Sequence, residues 1–125
     1  MGPKKGPTTL ADRPCGRFFR IAEAWRLTEA EQMKLLAIAN RSTLDRWRIG
    51  KAARLGRDRM ERISYIFGIY SAINILLPDP ARASVWMRAP NTAAPFGGGT
   101  ALERMCRGEV SDLSVVRHYL DAQLS

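Results

Sequence analysis

The stretch DRMERISYIFGIYSAINILLPDP, residues 58–80, decides the fold. Its apolar residues recur at spacings of three and four and form two adjacent rows, which is the period of an α-helix with a wide buried face. The first row contains Met60, Ile63, Phe67, Tyr70, Ile73 and Leu77, and the second contains Ile66, Ile69 and Leu76. We therefore expect a central helix over about 58–77, which Pro78 ends.

This central stretch is too short to cross a membrane. Its most apolar window, residues 63–77, is broken by small and polar residues, whereas about 30 Å of hydrocarbon needs about 20 apolar residues. The N-terminal residues lack the apolar core of a secretory signal. Cys15 and Cys106 have no partner at metal-ligand spacing, so we expect two free thiols in a reducing compartment.

Three shorter helices are expected before the central one. The first covers about 17–25. The second begins after Thr28, which forms a capping box with Glu31, and its pattern breaks around 38–41. Ser42, with Asp45 three residues later, predicts the start of a third helix that stops at Gly50.

Three more helices are expected after the central one. Asp79 caps a helix that Pro80 opens and that ends near residue 88. Thr100 and Glu103 form a second capping box, which begins a helix that ends near residue 107. The last helix covers about 112–124, and its inward residues are Leu113, Val116, Leu120 and Leu124. Because no alternating run is long enough for a strand, the fold class is all-α.

The positive charge is confined to the first part of the chain. The net charge is +8, and residues 1–70 hold 15 Lys and Arg against 7 Asp and Glu, whereas residues 71–125 hold 5 against 5. Such an asymmetry favours one module that faces a polyanion and a second module that faces something else. We divide the chain into a flexible basic arm (1–15), a basic module (16–70) and a neutral module (71–125). Lys4, Lys5 and Arg13 would let the arm reach DNA.

The second and third helices, joined by a tight turn, have the proportions of a helix-turn-helix. Leu44 and Trp47 lie three apart and must face the core, which leaves Arg41, Ser42, Thr43, Asp45 and Arg46 outward. Arg46 is the best candidate for bidentate contact with guanine, and Ser42 and Thr43 can reach bases or phosphates. The cations that follow, Arg48, Lys51, Arg54 and Arg57, are expected to contact phosphates. The alternative is a solvated cationic face on a helical hairpin.

The loop WMRAPNTAAPFGGGT, residues 86–100, raises the question of a phosphate site, because three glycines precede a helix. The loop lacks the lysine and Ser/Thr pair of a P-loop, and no predicted strand precedes it. His118 is the only histidine and has no orienting carboxylate, so neither a catalytic triad nor a metal site is indicated. We therefore expect no catalytic residue, no metal and no cofactor, and we interpret the loop as a recognition surface.

Four segments carry a resemblance to a known family. They are STLDRWRIG (42–50), RISYIFGIYSAINILLPD (62–79), WMRAPNTAAPFGG (86–98) and GEVSDLSVVRHYLDAQL (108–124). From about residue 27 to the end, the chain resembles the Xre/MbcA/ParS antitoxins, which join an Xre-like helix-turn-helix to a toxin-binding domain. The resemblance implies a bacterial cytoplasmic protein with these two modules joined by the long central helix, associated with the nucleoid when it is bound to DNA.

The resemblance also implies two partners. One is a toxin with a RES domain, which degrades NAD and whose NAD pocket the neutral module would cover. The other is operator DNA, bound by a homodimer within a larger toxin–antitoxin complex. The family signature carries over to Trp86, Pro90, Asn91, Phe96, Gly97 and Gly98, although Trp86 is expected to be mainly structural and Asn91 to fix a turn. The remaining toxin-contact residues would be Arg117, Tyr119, Asp121 and Gln123 of the last helix.

Two other functions fit the residues. One is a helix-turn-helix regulator without a toxin, whose neutral module senses a ligand or another protein. The other is a small enzyme that uses the glycine loop to bind a nucleotide.

Overall fold

The computed structural model describes residues 14–51 and 54–125, and the predicted basic arm lies outside them except for its last two residues. Within these ranges the chain forms seven helices, and its single β-bridge joins Pro90 to Thr100. The helices are α1 Pro14–Ala24, α2 Glu29–Leu36, α3 Arg41–Arg48, α4 Gly56–Leu76, α5 Pro80–Arg88, α6 Ala101–Met105 and α7 Val110–Leu124. The predicted all-α class is confirmed.

Helix α1 begins three residues before the predicted start, so Pro14 and Cys15 belong to the helix and not to the arm. Proline suits this position because the first helical residue needs no amide donor. The predicted capping box at the start of α2 is confirmed: the Thr28 hydroxyl accepts from the Glu31 amide, and the Glu31 carboxylate accepts from the Thr28 amide. Between the two helices, Arg26 has a left-handed φ of 55°.

The predicted cap of α3 was wrong by two residues. Asn40 is the N-cap, and its Oδ1 accepts from the Thr43 amide at 3.0 Å. The Ser42 hydroxyl instead donates to Asn40 Oδ1 at 2.9 Å. Asparagine and serine are about equally good caps, so the local pattern allowed both starts.

Helix α4 is the central helix, as predicted, and it packs against α7 along most of its length and against α1, α2 and α5. Its buried side chains are Arg62, Ile63, Ile66, Ile69, Ala72 and Ile73. Both predicted rows therefore contribute to the core, the first through Ile63 and Ile73 and the second through Ile66 and Ile69. The inward placement of Met60 was wrong, because its side chain is 43% exposed.

Helix α5 begins as predicted, with Asp79 as its cap and Pro80 at its first position. The Thr100–Glu103 capping box at the start of α6 is also confirmed. Helix α7 starts earlier than predicted because Glu109 and Asp112 form a further capping box. Leu124 is 39% exposed, so its inward placement was wrong; burial on α7 ends one turn earlier at Leu120.

Two arginines of α4, the buried Arg62 and the half-buried Arg59, connect neighbouring parts of the fold. Arg62 pairs with Asp58 at 2.8 Å and donates to the Gly108 carbonyl at 2.9 Å, which fastens α4 to the start of α7. Arg59 donates to the Leu36 and Ala37 carbonyls and so satisfies the end of α2. No helix in the described ranges has both the length and the hydropathy needed to cross a bilayer.

Candidate functional site

The third helix presents its polar face to solvent, because Leu44 and Trp47 are buried as the spacing predicted. The guanidinium of Arg59, on α4, lies 5.5 Å from the centre of the Trp47 ring. This contact anchors α3 from behind, while α1 packs against it from the side. The helix is therefore held on the protein by one face and free to enter a groove with the other.

Two of the predicted DNA-contact residues already form hydrogen bonds at the start of α3. The hydroxyls of Ser42 and Thr43 both donate to Asn40 Oδ1, at 2.9 Å and 2.8 Å. Each hydroxyl can still accept a hydrogen bond from a base or from a charged side chain. Their role in the isolated chain is to shape the N-terminal turn of α3.

Acidic residues hold two of the predicted arginines. Arg41 lies 3.0 Å from Glu29, and Arg48 lies 3.1 Å from Asp45 and 3.9 Å from Glu29. These pairs are solvent-exposed, so a phosphate could replace the carboxylates at little cost. The remaining predicted cations are exposed, and none of them forms an ion pair with another described residue; they are Arg46, Lys51, Arg54 and Arg57.

Ile49 is a surface residue that the sequence analysis missed. It directly follows α3 and is 61% exposed between Arg46 and Lys51. An exposed aliphatic side chain there could contact a thymine methyl group. The usable signal was its position two residues after the buried Trp47, which places it off the apolar face.

The neutral module carries an apolar groove of about 290 Å³ between α4, α5 and α7. The residues that line this groove are Ile73, Leu76, Leu77, Trp86, Tyr119, Leu120 and Gln123. Three of these, Trp86, Tyr119 and Gln123, are predicted toxin-contact residues from separate parts of the sequence. The aliphatic part of the lining was missed, because leucines and isoleucines at helical spacing were all assigned to the core.

Phe96 supports the groove from below and is only 5% exposed. Its ring lies edge-on against Trp86, with centroids 6.1 Å apart, and edge-on against Tyr119, with centroids 5.1 Å apart. Such edge-to-face pairs are favourable and fix the relative orientation of the rings. Phe96 therefore positions the two groove aromatics, and Trp86 is half-buried, both packed and accessible.

The glycine loop is closed on itself by its own backbone. The amides of residues 96–100 all donate within the chain, to the carbonyls of Ala93, Asn91 and Phe96 and to the Glu103 carboxylate. Gly97 and Gly98 have φ values of 57° and 95°, which L side chains rarely adopt. Since these amides already have partners, the loop does not offer the row of free donors that a phosphate needs.

The rest of the signature fixes this loop in place. Asn91 Oδ1 accepts from the Ala93 amide at 2.9 Å, which confirms its expected turn-forming role. Pro90 is exposed where the chain pairs with Thr100. Arg104, which the sequence analysis missed, donates to the Pro95 carbonyl and to the buried Asp112, both at 2.9 Å. The signature residues thus form a rigid support beside the groove.

The predicted contacts on α7 lie on opposite edges of that helix. Tyr119 and Gln123 face the groove, whereas Arg117 and Asp121 pair with each other at 3.1 Å about half a turn away. The Arg117 guanidinium lies across Gly68 of α4, where any Cβ would overlap it. A single flat partner surface could not contact both edges without wrapping around α7.

The described residues hold no cluster of His, Cys, Asp and Glu that could bind a metal ion. His118 is exposed, as expected of a surface histidine. Burial raises the pKa of the Cys106 thiol to about 11 and also raises the pKa of Cys15, so both groups are protonated near neutral pH. The described residues present two surfaces suited to recognition, the cationic helix α3 and the apolar groove.

Two protein-family models match this chain, one in each half of the sequence. Residues 17–68 match the antitoxin Xre-like helix-turn-helix domain, and residues 72–124 match the antitoxin Xre/MbcA/ParS C-terminal toxin-binding domain. The chain is also 44% identical over 106 residues to the uncharacterized protein y4oB of Sinorhizobium fredii (strain NBRC 101917 / NGR234), covering 85% of this chain and 80% of that protein. The chain therefore belongs to the Xre/MbcA/ParS antitoxin family.

Proposed function

We propose that this protein neutralises a RES-domain toxin by covering the toxin's NAD pocket and that it represses its own operon by binding operator DNA. Neutralisation is by occlusion, so the antitoxin itself performs no catalysis. The observation that carries the proposal is the apolar groove, where Trp86, Tyr119 and Gln123 meet beside a signature loop with its backbone amides already paired.

The groove suits a protein segment better than a nucleotide. Its lining is mainly aliphatic and aromatic, without a cationic side chain to bind phosphate. Aromatic side chains in partly buried pockets are frequent anchors of protein interfaces. We infer that an apolar element of the toxin enters the groove and that Arg117 and Asp121 meet a second part of the toxin.

The DNA-binding half of the proposal depends on α3. Arg46 is the residue for base contact, and Arg41, Ser42, Thr43, Arg48, Lys51 and Arg54 would position α3 on the backbone. We infer that the DNA-binding unit is a homodimer, since half-sites about one turn, roughly 34 Å, apart match a two-fold pair of recognition helices. Operator affinity should fall steeply with salt as phosphates are neutralised.

A groove variant tests the toxin-binding half. Gln123 is exposed and lines the groove, so Gln123→Arg places a long cation there without disturbing the core. Ala122→Arg is the matched control, because Ala122 is equally exposed on the same helix and lies outside the groove lining. With the RES-domain toxin that we propose as the partner, we expect Gln123→Arg to weaken complex formation by about tenfold or more.

The control should bind as tightly as the unchanged chain. Equal affinity of the Gln123→Arg and Ala122→Arg variants would exclude the groove as the contact surface. Loss of NAD in the presence of excess unchanged antitoxin would exclude neutralisation altogether.

A further inference from the structure

Arg88, the last residue of α5, reaches from the neutral module into the basic one. Its two terminal nitrogens each lie 3.1 Å from an oxygen of the Glu31 carboxylate, in the paired geometry that arginine and carboxylate favour. One of these nitrogens also donates to the carbonyl of Arg26 at 2.7 Å and to that of Trp25 at 3.3 Å. A single side chain therefore satisfies the end of α1 and holds the start of α2.

The turn that Arg88 grips is held in an unfavourable conformation. Arg26 has a φ of 55°, which non-glycine residues adopt only when their surroundings enforce it. Glu31 is fixed at the same time, because its carboxylate also accepts from the Thr28 amide in the capping box. Partial burial raises the pKa of Glu31, but the hydrogen bonds from Arg88 and Thr28 outweigh burial and lower the pKa below its ordinary value. Glu31 is therefore charged whenever the pair forms near neutral pH.

A continuous set of contacts leads from this turn to the recognition helix. Gln32, buried next to Glu31, donates to the Leu27 carbonyl in the turn at 3.1 Å. Its amide oxygen accepts from Arg48 of α3 at 3.3 Å. Gln32 is buried, and both the nitrogen and the oxygen of its side-chain amide form hydrogen bonds. We therefore expect a shift of the turn to move Gln32, Arg48 or both.

Arg88 also lies close in sequence to the residues of the groove. Trp86 lines the groove two residues before Arg88, and the signature loop begins directly after Arg88. Trp86 and Arg88 both lie in the last turn of the nine-residue helix α5, so the helix backbone links the groove to Arg88. From Arg88 to Arg48 of the recognition helix, the contacts are hydrogen bonds between named groups.

We propose that Arg88 is a positioning residue that couples the groove to the DNA-binding helix. This inference rests on the proposed function, because it assumes that the groove takes a partner and that α3 binds DNA. Through Arg88, a partner in the groove changes the affinity of α3 for DNA. By linkage, DNA on α3 must stabilise the groove and its loop to the same degree.

The reciprocal effect can be measured on the full chain without a toxin. Hydrogen exchange is followed by mass spectrometry with and without a DNA duplex that contains the region upstream of the gene. In the unchanged protein, we expect the duplex to slow exchange in α3 and also to slow exchange of the amides of residues 96–100 by about fivefold, the lower end of typical coupling between sites.

Two variants separate coupling from simple structural support. Arg88→Gln should keep protection of α3 but lose the loop response, whereas Arg82→Gln, an exposed arginine on the same helix, should behave like the unchanged protein. Glu31→Gln keeps an oxygen for the capping box but removes the charge, so it folds and should reduce the loop response even if Arg88→Gln does not fold.

The outcomes are distinguishable. Protection of α3 without any loop response in the unchanged protein would refute the coupling alone. A full loop response in both Arg88→Gln and Glu31→Gln would also refute it. Absence of α3 protection would refute operator binding by this duplex, and the coupling inference together with it.

Discussion

Replacing Gly68 by alanine should give a more stable protein that neutralises toxin less well. Gly68 lies inside α4, where glycine costs about 1 kcal/mol relative to alanine. The structure accounts for the glycine: the Arg117 guanidinium occupies the space of a Cβ, and it pairs with Asp121 at 3.1 Å. An added methyl group forces the guanidinium to move.

Two opposing contributions decide whether Gly68→Ala raises or lowers the free energy of unfolding. Helix propensity contributes about 1 kcal/mol in favour of alanine. The Arg117 and Asp121 side chains are 36% and 46% exposed, so their ion pair, four residues apart on one helix, contributes only about 0.3 to 0.5 kcal/mol. The overlapping atoms are at the far end of a flexible side chain, which can turn into solvent. We therefore expect a net stabilisation of about 0.5 kcal/mol.

Urea unfolding of four proteins measures this difference: the unchanged chain, Gly68→Ala, Arg117→Ala and the double variant. In the Arg117→Ala background nothing opposes the methyl group, so Gly68→Ala should there stabilise by the full value of about 1 kcal/mol. The functional assay is inhibition of NAD consumption by the RES-domain protein. If the position of Arg117 matters for the contact, Gly68→Ala should inhibit more weakly despite its higher stability.

Destabilisation by more than about 1 kcal/mol in both backgrounds would refute this reasoning, because it would mean that the backbone of α7, and not the Arg117 side chain, blocks the space. Unchanged inhibition by Gly68→Ala would show that the toxin does not depend on where the Arg117 guanidinium lies.

Three further predictions concern residues that hold the modules together. Arg104→Met should lower the free energy of unfolding by about 3 kcal/mol, because it leaves the Asp112 carboxylate, 9% exposed, without its cation, whereas Arg107→Met at an exposed position should change it by less than about 0.5 kcal/mol. Burial raises the pKa of Cys106 to about 11 from an ordinary 9.0, so less of this thiol is ionised near pH 8; because thiolates of higher pKa are better nucleophiles, Cys106 should react with iodoacetamide about tenfold more slowly in the folded protein than in urea, and equal rates would contradict the burial. The pKa of Glu31 is lower in the folded chain than its ordinary 4.5, so charged Glu31 stabilises the fold above pH 4.5, and this stabilisation is lost as the pH falls through the lower folded pKa. Urea unfolding at a series of acidic pH values should therefore show that the difference in free energy of unfolding between the unchanged chain and Glu31→Gln becomes smaller below pH 4.5. A difference that stays constant with pH would mean that Glu31 is unpaired.

The helices could be predicted from the sequence because their signals are local. The capping boxes at Thr28 and Thr100 and the Asp79–Pro80 start need only a few neighbouring residues, and all three are confirmed. Errors arose where two local patterns competed, as at Asn40, or where the partner helix decided burial, as at Met60. Periodicity gives the face of a helix but not how far along it the packing extends.

The candidate site was only partly predictable. The family signature led to Trp86, while the groove itself depends on how α4, α5 and α7 meet, which no local pattern encodes. The arginines are the clearest case. Arg88 pairs with a residue 57 positions away, and Arg62 binds a carbonyl 46 positions away. No local pattern in the sequence indicates either partner.

The most direct test of the account is the rate of NAD consumption by the purified RES-domain toxin that we propose as the partner, measured as this antitoxin is added. We predict that consumption falls to zero at a fixed ratio of the two proteins and that Gln123→Arg shifts this titration to higher antitoxin concentrations while Ala122→Arg does not. Undiminished NAD consumption at saturating antitoxin would contradict the central claim.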